Sequence, residues 1–171
     1  MGVDGSVRDG TPMIVIRGYE PGLSGVRATN PRIELSVGPE PALANEPVLR
    51  IAYPEPADDP AGRDVWCDAE NRDWTRGRAL AFQVRPASAV RLSVSFFDRN
   101  RVVYTTWIDL QGGVWQPAHI AFEEMRPNPY FQPPDARTGA PLDVSEVQGI
   151  AFAPHDATSG HLALSQFVVV A

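Results

Sequence analysis

Residues 91–110 read RLSVSFFDRNRVVYTTWIDL, and this segment by itself predicts two antiparallel β-strands joined by a turn. Leu92, Val94 and Phe96 alternate with more polar residues, which is the pattern of a strand with one buried face. The polar DRNR run that follows supplies the turn. Residues 102–110 return as a partner strand rich in Val, Thr, Tyr and Trp, all residue types that favour strands.

Short apolar segments bounded by Gly, Pro and polar turns continue on both sides of this hairpin. Further strands are predicted over residues 13–16, 33–37, 48–53, 64–67, 79–84, 114–122, 149–153 and 161–170. Loops are predicted over residues 38–47, 54–62 and 126–141, and a single helical turn over residues 142–147. About nine or ten short strands at this spacing predict an all-β sandwich or barrel.

The composition excludes several classes of protein. The chain has 171 residues, a formal net charge of -6, 43% hydrophobic residues and 21% charged residues, which is typical of one soluble globular domain. No apolar run reaches the roughly 18 residues of a membrane span, and the acidic balance argues against a nucleic-acid partner. Cys67 is the single cysteine, so we expect a packed thiol and no internal disulfide. All 15 basic residues are Arg.

The sequence predicts one folded domain. Residues 1–10 are rich in Gly, Asp and Ser and are predicted to form a flexible N-terminal arm, and residues 11–171 are predicted to form a single β-sandwich. The first ten residues have no apolar core of the signal-peptide type. Either the protein is cytoplasmic or a leader is not part of this chain.

Four stretches, in this order, carry a resemblance to a known family. They are DW at 73–74 with ALAFQV at 79–84, LSVSFFDRN at 92–100, GVWQPAHI at 113–120 and LDVSEVQGIAF at 142–152. In these stretches the chain resembles the family 11-like carbohydrate-binding modules and the related galactose-binding-like sandwiches. The resemblance implies a jelly-roll β-sandwich of two antiparallel sheets. It also implies a non-catalytic module that binds a β-glucan or another polysaccharide on a concave sheet face.

The resemblance leaves alternatives open. The same fold pattern occurs in the complex I intermediate-associated protein 30 family, so a protein-interaction or assembly domain is the second interpretation. A third is a hydrolase or lyase that uses His155 and Asp156, although the sequence has no Gly-x-Ser-x-Gly elbow and no metal-binding His spacing. If the chain is a carbohydrate-binding module, the resemblance implies a secreted or cell-surface location. One arrangement it implies is a module tethered to a catalytic domain. The oligomeric state stays open.

Modules of this kind often hold a structural Ca²⁺ between an acidic residue near the first strand and an Asp in the last strand. Glu20 follows the first predicted strand and is the candidate ligand. The last strand offers only Ser165 and Gln166 at the matching place, and these are weak substitutes because Ca²⁺ prefers several hard oxygen ligands. No cofactor is required by this interpretation, and Ca²⁺ held through Glu20 stays an open alternative.

Aromatic side chains hold the apolar faces of sugar rings, and polar side chains hold the hydroxyl groups. Strand alternation places Thr105 and Trp107 on the face opposite to that of Tyr104, so Trp107 is a candidate platform for a sugar ring. Trp74 and Trp115 lie beside or within apolar strands and are predicted to pack in the core instead.

The remaining candidates lie mostly in or beside loops. Tyr130 and Phe131 are adjacent aromatics held between prolines, which lowers the entropic cost of binding. The alternative is that one of them closes the end of the sandwich. Arg126 and Asp135 are their predicted polar neighbours. The candidate ligand-binding residues are Trp107, Tyr130, Phe131, Arg126, Asp135, Arg91, which could add a donor from the sheet, and Trp66 and Tyr53, which border the loop over residues 54–62.

Overall fold

The computed structural model describes residues 14–17, 19, 23–54, 62–155 and 160–171. Within these residues the chain forms thirteen β-strands in two antiparallel sheets, which confirms the all-β sandwich prediction. In chain order the strands are β1 (Ile14–Arg17), β2 (Val26–Ala28), β3 (Glu34–Glu40), β4 (Glu46–Tyr53), β5 (Val65–Arg72), β6 (Ala79–Pro86), β7 (Val90–Phe97), β8 (Val103–Leu110), β9 (Gln116–Ala121), β10 (Arg126–Pro127), β11 (Val147–His155), β12 (Gly160–Leu164) and β13 (Phe167–Val170). No helix in the described ranges is long and apolar enough to cross a membrane. The predicted arm over residues 1–10 lies outside them.

The seven-stranded sheet is built around β6. Strand β9 pairs along one edge of β6, and β13 and β12 pair with successive parts of the other edge. Between β12 and β13 the chain bends at Ser165, whose backbone N–H donates to the carbonyl of Gln83 at 2.9 Å and whose hydroxyl accepts from the backbone N–H of Gln83 at 2.7 Å. The prediction of one strand over residues 161–170 is therefore wrong, because this bend divides the segment into two strands.

The six-stranded sheet has the order β10-β8-β7-β11-β5-β2. The hairpin predicted from the sequence is β7 and β8, with Leu92 opposite Ile108 and Ser95 opposite Thr105. The carboxylate of Asp98, which is fully buried, accepts a hydrogen bond from the backbone N–H of Val102 at 3.0 Å and fixes the turn between them. This hairpin positions most of the groove described below.

The core lies between the two sheets. The alternating apolar residues of β7 are fully buried, as predicted, and so is Trp74, whose ring centroid lies 5.6 Å from that of Phe96. Phe152 on β11 and Phe167 on β13 stack across the sandwich with centroids 5.2 Å apart. Cys67 is a buried free thiol, as expected. Each large apolar side chain buried here contributes roughly 1.5–3 kcal/mol to folding.

Two predicted connections differ from the structure. The loop predicted over residues 38–47 contains the end of β3, a turn of 3-10 helix (Pro41–Leu43) and the start of β4. β3 is an edge strand, where a proline is tolerated because its missing N–H does not interrupt the sheet. The helical turn predicted over residues 142–147 is absent from the described structure. There the backbone N–H of Ser145 donates to the carboxylate of Asp143 at 3.0 Å and closes a local turn instead.

The core position predicted for Trp115 is wrong. Trp115 precedes β9 and is only half-buried, and the guanidinium of Arg85 lies 5.2 Å from the centroid of its ring. Arg85 is half-exposed between buried Val84 and Pro86, so it points away from the core. Trp115 therefore lies on the outer face of the seven-stranded sheet.

Candidate binding groove

A groove of about 1010 Å³ runs over the outer face of the six-stranded sheet. The alternation of β7 that buries one set of residues turns the other set outward, and this set forms the centre of the groove. The described residues that line it are Arg27, Thr29, Arg63, Asp64, Trp66, Arg91, Ser93, Ser95, Phe97, Val103, Thr105, Trp107, Asn128, Tyr130, Phe131, Ala151, Ala153, Pro154 and His155.

Small side chains form the floor of the groove. In the register of the sheet, Ala151 lies opposite Ser95, which lies opposite Thr105 on the next strand. The hydroxyl oxygens of Ser95 and Thr105 are 2.8 Å apart and share a hydrogen bond. One step along the strands, Ala153 lies opposite Ser93, whose hydroxyl donates to the carbonyl of Ala153 at 3.2 Å. The floor is therefore low, and its hydroxyl groups are fixed in direction.

Two tryptophans stand on either side of this floor. Trp107 is on β8 and Trp66 is on β5, three strand spacings away, or roughly 14 Å. Trp66 packs against Phe97 with ring centroids 4.8 Å apart, and the guanidinium of Arg27 lies 5.2 Å from the centroid of its ring. A Cβ at Gly149 would overlap the Trp66 ring, so only glycine leaves room for this arrangement.

Tyr130 and Phe131 project from the loop at one end of the groove and are 87% and 58% exposed. The side chain of Asn128 holds this loop: its carbonyl oxygen accepts from the backbone N–H of Tyr130 at 2.8 Å and of Phe131 at 3.1 Å. Its amide donates to the hydroxyl of Thr105 at 3.0 Å. Gln132 adds hydrogen bonds to both backbone groups of Val103. The exposed aromatic pair is thus tied to the floor.

Charged residues gather at the opposite end, where β5 and β7 begin and β11 ends. Arg91 lies opposite His155 in the register of the sheet, and its nitrogen Nε is 3.9 Å from the carboxylate of Asp109. Burial raises the pKa of Asp64, and the nearby His155 opposes that shift. Asp64 is the one carboxylate among the described lining residues.

Five of the eight predicted ligand-binding residues line the groove, and three do not. Those in the lining are Trp107, Tyr130, Phe131, Arg91 and Trp66. Arg126 is paired opposite Thr105 but donates to the carbonyl of Glu123 at 2.6 Å and to that of Met125 at 2.8 Å. Asp135 forms an ion pair with Arg101. The structure therefore does not place Arg126 or Asp135 in the lining beside the aromatic pair.

Tyr53 also lies outside the groove. It ends β4 in the seven-stranded sheet and is buried, with the guanidinium of Arg63 5.3 Å from the centroid of its ring. Burial raises the pKa of its hydroxyl. Trp66 lines the groove and Tyr53, which was also predicted to bind ligand, does not, because the two residues belong to different sheets.

Sequence reasoning missed several residues of the groove. Ser93 and Ser95 could have been found, because the alternation that buries Leu92 and Val94 turns them outward. Arg27 gave no signal, because β2 has three residues and its pairing with β5 is distant in sequence.

The expected calcium ligand Glu20 lies outside the described residues. At the other half of the expected site, Ser165 accepts from Gln83 N–H and donates to the carbonyl of Gln166 at 3.2 Å, and its own carbonyl accepts from the hydroxyl of Tyr19 at 3.1 Å. These oxygens already form hydrogen bonds within the protein. Among the described residues, no group of three or more His, Cys, Asp or Glu is placed to hold a metal. The calcium site stays an untested prediction.

The sequence matches no protein-family model and no curated protein. Solved structures with a similar fold include a family 11 carbohydrate-binding module from Clostridium thermocellum in complex with a β-1,3-1,4-mixed-linked tetrasaccharide (TM-score 0.71, 14% identity, 92% of this chain and 95% of that one). A family 30 carbohydrate-binding module has a TM-score of 0.63 and 14% identity over 92% of this chain and 87% of its own. An exo-β-agarase has a TM-score of 0.62 and 15% identity over 90% of this chain and 24% of its own. The chain thus has the jelly-roll β-sandwich fold of carbohydrate-binding modules.

Proposed function

We propose that this protein is a non-catalytic carbohydrate-binding module that holds a β-glucan-like polysaccharide chain in the groove on the six-stranded sheet. The observation that carries the proposal is the groove itself, which places aromatic rings around a floor of small, hydroxyl-bearing side chains. The fold shared with modules of families 11 and 30 supports it.

The groove has the two kinds of group that a sugar chain needs. Trp107, Tyr130 and Phe131 offer ring faces to the apolar C–H faces of pyranose rings, and Trp66 offers a fourth ring on the other side. Ser93 on the floor and Asn128 beside it offer hydrogen-bonding groups to hydroxyls along the edge of a sugar chain. Because the aromatic loop is already ordered by Asn128, little entropy is lost on binding.

The charges of the lining support binding without hydrolysis. Glycoside hydrolysis generally uses two carboxyl groups on either side of the scissile bond. Among the described lining residues Asp64 is the single carboxylate. Asp156, the predicted partner of His155 in the hydrolase alternative, lies outside the described residues. The match to 24% of an exo-β-agarase supports a further part of the proposal, in which the module is tethered to a catalytic domain.

Affinity electrophoresis against a panel of soluble polysaccharides, followed by calorimetry with mixed-linkage β-glucan oligosaccharides, tests this function. We expect Trp107→Ala to weaken binding at least about tenfold, or ~1.4 kcal/mol, because it removes a stacking platform. Trp115→Ala is the matched control, since Trp115 lies on the outer face of the other sheet and should leave binding unchanged. Absence of binding to any glycan in a broad array would overturn the proposal, and capture of a stable protein partner would then favour the assembly-domain alternative.

A further inference from the structure

Positive charge is concentrated in the groove of an acidic protein. The whole chain has a formal net charge of -6. The described lining of the groove, in contrast, contains three arginines against a single carboxylate: Arg27, Arg63, Arg91 and Asp64. A cleft of one sign on a protein of the opposite net charge selects ligands by their charge.

Arg91 and the aromatic pair occupy different ends of the groove. Arg91 begins the outward row of β7 and Phe97 ends it, six residues or roughly 20 Å away. Phe97 lies opposite Val103, to which Gln132 anchors the loop of Tyr130 and Phe131. An extended chain laid along the strands would therefore meet the aromatic pair at one end and the guanidinium group of Arg91 at the other.

Arg91 is the arginine best able to contact a ligand. Its side chain is 54% exposed, and its Nε lies 3.9 Å from the carboxylate of Asp109, which is itself 88% exposed. A pair this long and exposed is weak, so an incoming anion can take the place of Asp109. Arg63, in contrast, donates to the carbonyl of Pro54 at 3.0 Å and lies over Tyr53, so it contributes charge rather than a free donor.

We propose that the glycan bound in this groove carries anionic groups, carboxylate or sulfate, and that Arg91 binds one of them beside His155. The guanidinium group suits this role because its two parallel N–H donors match the oxygens of a carboxylate or sulfate. The inference rests on the proposed function and names the substrate class within it: neutral sugar faces stack at the aromatic end, and the charged substituent lies at the arginine end.

Calorimetry with one glucan backbone in three forms, unmodified, carboxymethylated and sulfated, tests the inference at low and moderate salt. We expect one or both anionic forms to bind about tenfold more tightly than the neutral form at low salt, with the advantage shrinking as salt screens the charge. Comparison of the carboxymethylated form with the sulfated form shows which of the two anionic groups the groove prefers. Arg91→Gln should remove most of the advantage of the anionic forms. Arg78→Gln is the control, since Arg78 is exposed and lies outside the groove lining.

The outcomes separate the inference from the proposed function. If the neutral glucan binds and the anionic forms bind no better, the charge inference is wrong and the module function stands. The same holds if Arg91→Gln weakens neutral and anionic ligands equally, or if Arg78→Gln has the same effect as Arg91→Gln. If no form binds, both proposals are overturned.

Discussion

Asn128 is expected to control affinity through the order of the loop that it holds. Asn128→Ala removes three hydrogen bonds, one to Thr105 and two from the backbone N–H groups of Tyr130 and Phe131. Fixing the backbone of one residue costs roughly 1–2 kcal/mol, so reordering two residues on binding costs about 2–4 kcal/mol at most. Gln132 still ties the loop to Val103 in the variant, which places the expected loss nearer 1–2 kcal/mol, or about 5- to 30-fold in affinity.

Calorimetry with a mixed-linkage β-glucan oligosaccharide measures this loss, and thermal unfolding shows whether the domain is otherwise intact. The binding entropy of Asn128→Ala should become more unfavourable, while the melting temperature falls only slightly because the freed N–H groups are exposed to water. Asn128→Asp is the matched control, since its carboxylate still accepts from Tyr130 and Phe131. Wild-type affinity in the Ala variant, or equal loss in both variants, would refute the reasoning.

Three other variants test the packing and charge of the sandwich. Gly149→Ala should weaken glycan binding and lower stability by about 1–3 kcal/mol in urea unfolding, because the new Cβ displaces the Trp66 ring; unchanged tryptophan fluorescence would contradict this. Phe96→Ala should lower stability by about 3–5 kcal/mol, since Phe96 is fully buried and its ring packs against that of Trp74, and a loss below 1 kcal/mol would show that the core is not tightly packed there. Burial raises the pKa of Asp64, so its protonated form stabilises the fold at acid pH and that contribution is lost as pH rises through the raised pKa. Asp64→Asn should therefore gain stability over wild type as pH increases from 3 to 7, and a gain confined to acid pH would contradict the sign.

The sequence predicted those parts of the fold that depend on neighbours along the chain. The alternation over residues 91–110 determines both the buried and the outward residues of the β7–β8 hairpin, and Trp107 follows directly from it. The exposed pair Tyr130 and Phe131 was also visible, because prolines on both sides keep it from joining a strand.

The parts that could not be predicted depend on where a side chain points or on contacts between distant segments. The sequence shows that Arg126 is charged but not which way its side chain points. In the structure the side chain turns to the nearby carbonyls of Glu123 and Met125. Trp115 has the apolar neighbours of a core residue, yet its ring lies against Arg85 on the outer face. Pairing between β2 and β5, which positions Arg27, joins segments about forty residues apart in sequence.

Because the side chains of β7 alternate, one face of the strand belongs to the core and the other face belongs to the groove. Leu92, Val94 and Phe96 pack in the core between the two sheets, while Ser93 and Ser95 lie on the groove side of the strand. Substitutions at the serine positions can thus change the depth and width of the groove without opening a cavity in the protein interior. A scaffold built in this way can change the ligand that its groove accepts during evolution while its folding stability stays nearly constant.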